Sequence, residues 1–462
     1  MTHKKLTKEQ VAVVEYMESP ENTGILLVSA VAGSGKSYLS RVVVDTLKPR
    51  SALYTAFNKA IVEEGIDRFE GTEVECKTLH ALAYRYVQPK AGIEALAYTC
   101  ITEDLTYPQK ASIIEGIDKF FVSASTDMAE FFNTIFEEDL ADIAESYVQK
   151  MIDEKIKPSF GFLLKYFHLM LVEDNSICEY DLVILDEIND TTAVALEIFK
   201  SIKAPKKLGL GEPTQAIYQF LNLVDGFSAL KGAKVLPLSK SFRCSKRIAE
   251  RVEEFVHTYV DTDFKFTGSS TPIRNGKTAY ITLTNAYVIQ ALSDRLRLGK
   301  GFTLLRKASE IFAYPLALVS AASGKEVYQK QYKFLNNEFD NYQRSSKKGT
   351  FYNYLTEVVQ DKQMESAISL LGSLRMAKIN IFDLYAKVKK AKKDPNFTVA
   401  TVYTSKGLEY ETVQIAEDLN ASVQNIINSG DRDEEDLTIM KCYYVACSRC
   451  SVNLHNGIHL KE

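Results

Sequence analysis

The chain has 462 residues, of which 46% are hydrophobic and 25% charged, and a formal net charge of −4; this length allows about two to four domains, each with its own core. That charge supplies no global field for a polyanion, so any nucleic-acid binding must come from local patches of Lys and Arg. No apolar run reaches the roughly 18 residues of a membrane span, and MTHKKLTKEQ lacks the apolar segment of a signal peptide, so no membrane partner is expected and the expected location is cytoplasmic: nucleoid-associated, or in the host cell for a viral protein.

The opening LTKEQVAVVEYME has a capping-box spacing, Thr7 to Gln10, followed by apolar residues at helical spacing, and reads as a helix. GILLVSA then reads as a strand, followed by a Gly-rich turn and a helix in SYLSRVVVDTL. ALYTAF, VECKTLH, DLVILDE and KKLGLGE read as four more strands, and this alternation with helix predicts an α/β fold with a parallel sheet. Between about residues 81 and 178 the pattern turns helical and acidic, which predicts a helical insertion. A second α/β region begins near SKSFRCSKRIAERV, with strands expected in TAYITL, GFTLLR, FTVATVY and VQIAED. Helices interrupt it over roughly residues 308 to 394, ending in a basic run that contains Lys387, Lys389, Lys390, Lys392 and Lys393. The scattered cysteines, odd in number, do not form a disulfide framework and fit a reducing compartment.

The segment AVAGSGKS, Ala30 to Ser37, lies between an apolar strand and a helix. Backbone N–H groups of Ala32, Gly33, Ser34 and Gly35 and of the helix N-terminus can cradle phosphates, with Lys36 on the β and γ oxygens and the Ser37 hydroxyl on Mg2+. The strict expression fails by one residue, because Ala30 stands where the first glycine is usual. DLVILDE ends an apolar strand with Asp186, placed to hold Mg2+ together with Ser37, and Glu187, placed as general base for an attacking water. Neither segment carries an arginine for the γ-phosphate, whereas Arg243, Arg306 and Arg449 follow apolar segments in the second α/β region.

In order along the chain, LTKEQ, AVAGSGKS, TAFNKA, KTLHALAYR, LDEIND, GEPTQAIYQF, SFRCS, TLLRK, TSKGLEY and YYVACSR resemble the motif set of the UvrD/Rep-like group of superfamily 1 DNA helicases. The resemblance implies two RecA-like P-loop domains with parallel sheets, each carrying a mainly helical insertion, and ATP in the cleft between them. The implied boundaries are 1–80 with 179–238 for the first domain, 81–178 for its insertion, 239–307 with 395–462 for the second, and 308–394 for a reduced accessory insertion. It further implies that Gln10 reads adenine, Gln215 senses the γ-phosphate, Arg243 and Arg449 reach it from the second domain, and Glu409 contacts the ribose beside Lys406. Contacts to single-stranded DNA are implied for Phe57, Asn58, His80, Tyr218, Phe220, Thr404 and Lys406, the aromatic ones as stacking platforms.

Four departures from the family pattern concern the coupling of ATP to DNA: Glu212 for Asp, Asn189 for Gln, Tyr403 for His, and Leu221-Asn222-Leu223 for Arg-Gly-Ala. The expected activity is an ATP- and Mg2+-dependent helicase that acts as a monomer on single-stranded DNA and single-strand/duplex junctions, moving 3' to 5'. An ATPase that strips proteins from single strands with little unwinding, or a non-catalytic DNA-binding scaffold, are the alternatives; repair, replication and recombination all remain open. In the tail, Cys447, Cys450, His455 and His459 have the C-x2-C-x4-H-x3-H spacing of a zinc site, and Cys442, Cys447 and Cys450 the C-x4-C-x2-C spacing of an iron–sulfur site. A closing strand through SVNLHNGIHL would set the two histidines on one face about 13 Å apart, too far to share one zinc, and a continuous helix would scatter the three sulfurs; the resemblance instead implies a helix end that projects Arg449 to the γ-phosphate.

Overall fold

The computed structural model describes residues 6–56, 59–90, 92–218, 223–345, 349–358, 362–430 and 432–460. Its contacts divide the chain into two units, Met1–Ser239 and Lys240–Glu462. Among the described residues no helix is long and apolar enough to cross a membrane.

The first unit contains β1 (Gly24–Ala30), β2 (Ala52–Ala56), β3 (Val74–Thr78), β4 (Leu182–Asp186), β5 (Thr191–Thr192), β6 (Lys206–Gly211), β7 (Leu223–Val224) and β8 (Lys234–Leu238). Six of them form a parallel sheet in the order β3-β2-β4-β6-β1-β8, and β5 and β7 pair separately and antiparallel. Both faces of the sheet are covered, so β2 and β4 are buried at every position and read as unbroken apolar runs. Residue parity divides the faces. Leu27, Leu53, Val183 and Leu185 join one core with Ile117, Phe120 and Phe167 of the helices between β3 and β4. Leu26, Val28, Tyr54, Ile184 and Leu208 join the other, against the helices Lys8–Glu18 and Lys36–Leu47.

The helices between β3 and β4 include Leu79–Val87, Tyr107–Val122, Met128–Ile135, Glu138–Ile152 and Phe160–Glu173. Thr78 caps the first of them directly at the end of β3. Their core is heavily aromatic, with Phe120, Phe121, Phe132 and Phe167 fully or almost fully buried. Inside it the Lys165 ammonium lies 4.4 Å from the Phe120 ring centre and donates to the Ser123 and Ser125 carbonyls, at 2.9 and 2.6 Å. Those carbonyls follow the C-terminal end of Tyr107–Val122, where a cation is favoured. Burial nevertheless lowers its pKa to about 8.

The second unit contains β9 (Lys240–Ser245), β10 (Thr267–Ser269), β11 (Thr278–Thr282), β12 (Thr303–Leu304), β13 (Phe397–Thr401), β14 (Tyr410–Ile415) and β15 (Cys450–His455). Five form a parallel sheet in the order β12-β13-β11-β14-β15, and β9 and β10 make a separate parallel pair. The α/β class with parallel sheets is thus borne out. The strand expected in GFTLLR is reduced to two residues, and the β9–β10 pair was not anticipated. The helix Glu434–Ser448 is buried on every side over Cys442 to Ser448, which explains its lack of a polar stripe.

Between β12 and β13 lie helices that include Ala313–Ala322, Phe334–Arg344, Phe351–Val358, Lys362–Met376 and Ile381–Lys390. One helix serves two cores. Lys362–Met376 gives Met364 and Ala367 to the cluster around Leu318 and Leu355, and Leu370 and Leu374 to the cluster around Ile289 and Val399 of the sheet layer.

Strand β6 has a tightly limited position. A β-carbon on Gly209 would lie 2.7 Å from the Leu27 side chain and 2.8 Å from that of Ile188, both buried. Gly209→Ala is therefore expected to cost about 1–3 kcal/mol by overpacking, read as a lower urea midpoint at unchanged m; an unchanged midpoint would show that this core yields.

Candidate functional site

The phosphate-loop segment leaves β1 at Ala30 and enters the helix Lys36–Leu47 through Gly33 and Gly35, whose φ values of 70° and 82° are left-handed. Glycine is needed at those two positions because a β-carbon is strained there. Ala30, in contrast, is still strand, paired with Leu238 on β8, so its methyl group costs the loop nothing. The Ser34 hydroxyl is buried without a hydrogen-bond partner, and the Ser37 carbonyl accepts from Ser40 at 2.9 Å.

Lys36, first in the helix, is 2.9 Å from Glu187 Oε1. Burial alone would lower its pKa, but the charges of Glu187, Asp186 and Glu212 outweigh this and hold the ammonium above the usual lysine value. The Asp186 carboxyl is also raised, but here burial is the cause and prevails over the pull of Lys36. Its Oδ2 accepts from the Tyr54 hydroxyl at 2.5 Å and its Oδ1 from the Glu187 backbone N–H at 3.0 Å. Glu187 has a φ of 55°, uncommon for a residue with a side chain and a frequent mark of functional sites.

Gln10 performs two tasks at once. Its Oε1 accepts from the Thr7 N–H at 3.0 Å, completing the capping box, while its Nε2 donates to the Ser34 carbonyl of the phosphate loop at 3.3 Å. Past the end of β6, Glu212 accepts from Thr214 at 3.0 Å and from the Gln215 amide, all three being buried. The Glu212 N–H donates to Asn189 Oδ1 at 2.9 Å. Two of the departures, Glu212 and Asn189, are therefore one paired local feature.

In the second unit, three expected motifs meet. Arg243 on β9 lies 3.1 Å from Glu409 Oε2 and donates to the Ser448 carbonyl at 3.3 Å. Arg449, just past the end of Glu434–Ser448, is 2% exposed; its guanidinium folds back to the Val445 carbonyl at 3.1 Å and the Ser448 hydroxyl at 3.0 Å. Thr404 bonds locally to Thr401, and Lys406 follows the short helix Val402–Ser405 as its C-cap. Tyr403, the third departure, contacts the Cys442 thiol, which burial pushes up to about 12.

Of the residues expected to touch DNA, Phe57, Asn58 and Phe220 lie outside the described residues, as do Leu221 and Asn222 of the fourth departure. His80 is half-buried, edge-on to Phe160 at 6.1 Å, and burial lowers its pKa so that it is neutral at pH 7. Tyr218 is half-buried. Tyr84, four residues after His80 and so on the same helix face, is an exposed aromatic that motif reading passed over.

The tail corrects one expectation. Strand β15 stops at His455, and Asn456, at a φ of 58°, turns the chain. His459 is thus not in a strand; its ring packs on Tyr443, and Nε2 is 2.8 Å from the Asn420 carbonyl oxygen. Among the described residues the cysteines and histidines of the tail do not gather into a group that could hold a metal ion. Burial keeps the Cys447 and Cys450 thiols protonated, that of Cys450 pushed up to about 12.

Residues 13–221 match a family model described as an AAA domain. The chain is similar to F-box DNA helicase protein 1 of Schizosaccharomyces pombe, 24% identical over 533 residues that cover 98% of this chain and 57% of that protein. It is also similar to F-box DNA helicase 1 of Gallus gallus, 24% identical over 463 residues, covering 90% of this chain and 45% of that protein. The chain spans about half the length of these curated relatives. These matches bear out its resemblance to the UvrD/Rep-like group of superfamily 1 helicases.

The Arg243–Glu409 pair has side chains 12% and 39% exposed. A double-mutant cycle with Arg243→Met and Glu409→Gln is expected to give a coupling energy of about 0.5–1 kcal/mol in urea unfolding, because solvent screens the glutamate; zero coupling would show that the contact does not hold β9 to the segment before β14.

Proposed function

We propose that this chain is the motor of an ATP-driven DNA helicase that moves along single-stranded DNA from 3' to 5'. The observation that carries the reading is the partly buried Lys36, held by Glu187 and within the field of Asp186, beside a glycine-turned loop at the C-terminal ends of a parallel sheet. Ligands of open α/β sheets bind at such strand ends. A nucleotide triphosphate offers Lys36 more negative charge than Glu187 does. Drawing the ammonium onto the phosphates frees the Glu187 carboxylate to orient and deprotonate water, so binding itself arms the base.

The donors present suit Mg2+, which prefers hard oxygen ligands: the Ser37 hydroxyl and the Asp186 carboxylate would hold it, and it would supply neutralisation of phosphate charge. Gln10 is the proposed reader of the base of the same nucleotide, a role supported by its bond to Ser34 of the phosphate loop, and Gln215 is the proposed γ-phosphate sensor. In the second unit Arg243 and Arg449 are the arginines proposed for the γ-phosphate and Glu409 the ribose contact, a role supported by the convergence of these three motifs. Both relatives are named DNA helicases, which favours DNA as the track. His80, Tyr218, Thr404 and Lys406, with Phe57, Asn58 and Phe220, are its proposed contacts.

Single-stranded DNA is expected to stimulate ATP hydrolysis, and Lys36→Ala to reduce the stimulated kcat on the order of 10^2-fold or more. The absence of any stimulation in the wild-type chain would refute the reading. In strand displacement, a duplex with a 3' tail is expected to be unwound and one with only a 5' tail to remain intact; the reverse preference would overturn the polarity.

A further inference from the structure

Tyr54 is fully buried on β2, yet its hydroxyl is fully used. Across the β2–β4 pair Ala56 stands opposite Asp186 and Tyr54 opposite Ile184. Tyr54 is therefore two residues back on the same face as Asp186, and it spans that offset with the length of its phenol to reach Oδ2 at 2.5 Å. A phenylalanine would fill the same space and make no bond.

The ring is held by the segment that follows β2. Gly65 of the helix Lys59–Arg68 presses so close that a β-carbon there would lie 2.6 Å from a Tyr54 ring carbon. The Phe69 ring centre is 5.1 Å away, and the Arg68 guanidinium 5.4 Å from the Tyr54 ring centre. Arg68 Nη1 also donates to the Tyr54 oxygen at 3.0 Å. Arginine can only donate, so the tyrosine oxygen accepts from it and commits its own proton to Asp186. With the Glu187 N–H on Oδ1, both oxygens of this carboxylate have a fixed donor.

We infer that Tyr54, backed by Arg68, is the positioning residue for the Asp186 carboxylate: a donor from the neighbouring strand that fixes its orientation and so sets how tightly the site takes a divalent cation. The inference rests on the reading of Asp186 as the cation's carboxylate. It explains why a polar side chain is buried where an apolar one would pack, and why glycine stands at position 65. Groups that orient a metal ligand from behind typically change metal affinity by about 10–100-fold when removed.

The test is Mn2+ affinity in the presence of ADP, followed by the loss of the free-ion paramagnetic resonance signal, in the full chain and in Tyr54→Phe and Arg68→Gln. Tyr54→Phe is expected to weaken Mn2+ binding about 10-fold or more, and Arg68→Gln by a smaller factor. ADP affinity in EDTA, read by fluorescence of a labelled analogue, should stay within about twofold of wild type, because the phosphate loop is untouched. Mn2+ curves that coincide with wild type in the folded variants would overturn the inference, and so would an equal loss of ADP affinity in EDTA, which marks general damage. If Tyr54→Phe does not fold, Arg68→Gln decides by the same criterion. A wild-type chain that binds ADP but no Mn2+ would refute the cation reading of Asp186, and one that binds neither would refute the proposed function.

Discussion

A lysine ammonium largely withdrawn from water needs negative charge close by, and in this chain the need is met from elements far apart in sequence. Lys36 pairs with Glu187 at 2.9 Å, with the charges of Asp186 and Glu212 adding to the field. That arrangement requires the ends of β1, β4 and β6 to lie level. Ser29 pairs with Gly211 and Asp186 with Leu210, which places the three strand ends side by side. The glycines of the loop, the left-handed Glu187 and the burial of Gln215 all belong to this same edge of the sheet.

Much of this was legible in the sequence because the signals are local. An apolar run that ends in a glycine turn or an acidic pair marks a strand end whatever packs around it, and the five strands expected before residue 239 all occur. Thr7 and Gln10 form the capping box that their spacing indicates. What was not legible depends on partners. Tyr54 read as one apolar strand residue among many; only the pairing of β2 with β4 gives its hydroxyl a carboxylate. GFTLLR has the composition of a longer strand, but β12 is at the sheet edge and pairs over only two residues. His459 left the expected strand because Asn456 turns the chain and Tyr443 offers its ring a place to pack.

The departures from the family pattern also change character once seen in space. Glu212 is one methylene longer than the aspartate it replaces, and it reaches both Thr214 and Gln215 while its backbone is fixed by Asn189. A β-carbon at Gly211, the last residue of β6, would meet that asparagine oxygen at 2.5 Å, so a side chain there would have to displace Asn189. The substitutions therefore form a compensated set around Gln215, and its amide remains oriented. In the second unit the same logic of shared anchors applies: the Ser448 carbonyl receives Arg243, and Arg449 folds back on its own helix end, so both arginines are ordered by one short stretch of chain.

The helix Lys362–Met376 has a mechanical meaning. Because Leu370 and Leu374 are in the core beside the sheet while Met364 and Ala367 are in the core of the accessory helices, a single rigid rod is clamped at both ends. Bending between the two cores would have to break that rod's backbone hydrogen bonds or tear apolar side chains out of one clamp. The helices between β12 and β13 and the sheet of this unit therefore share one rod, and the two cores cannot part without exposing apolar side chains from one of them.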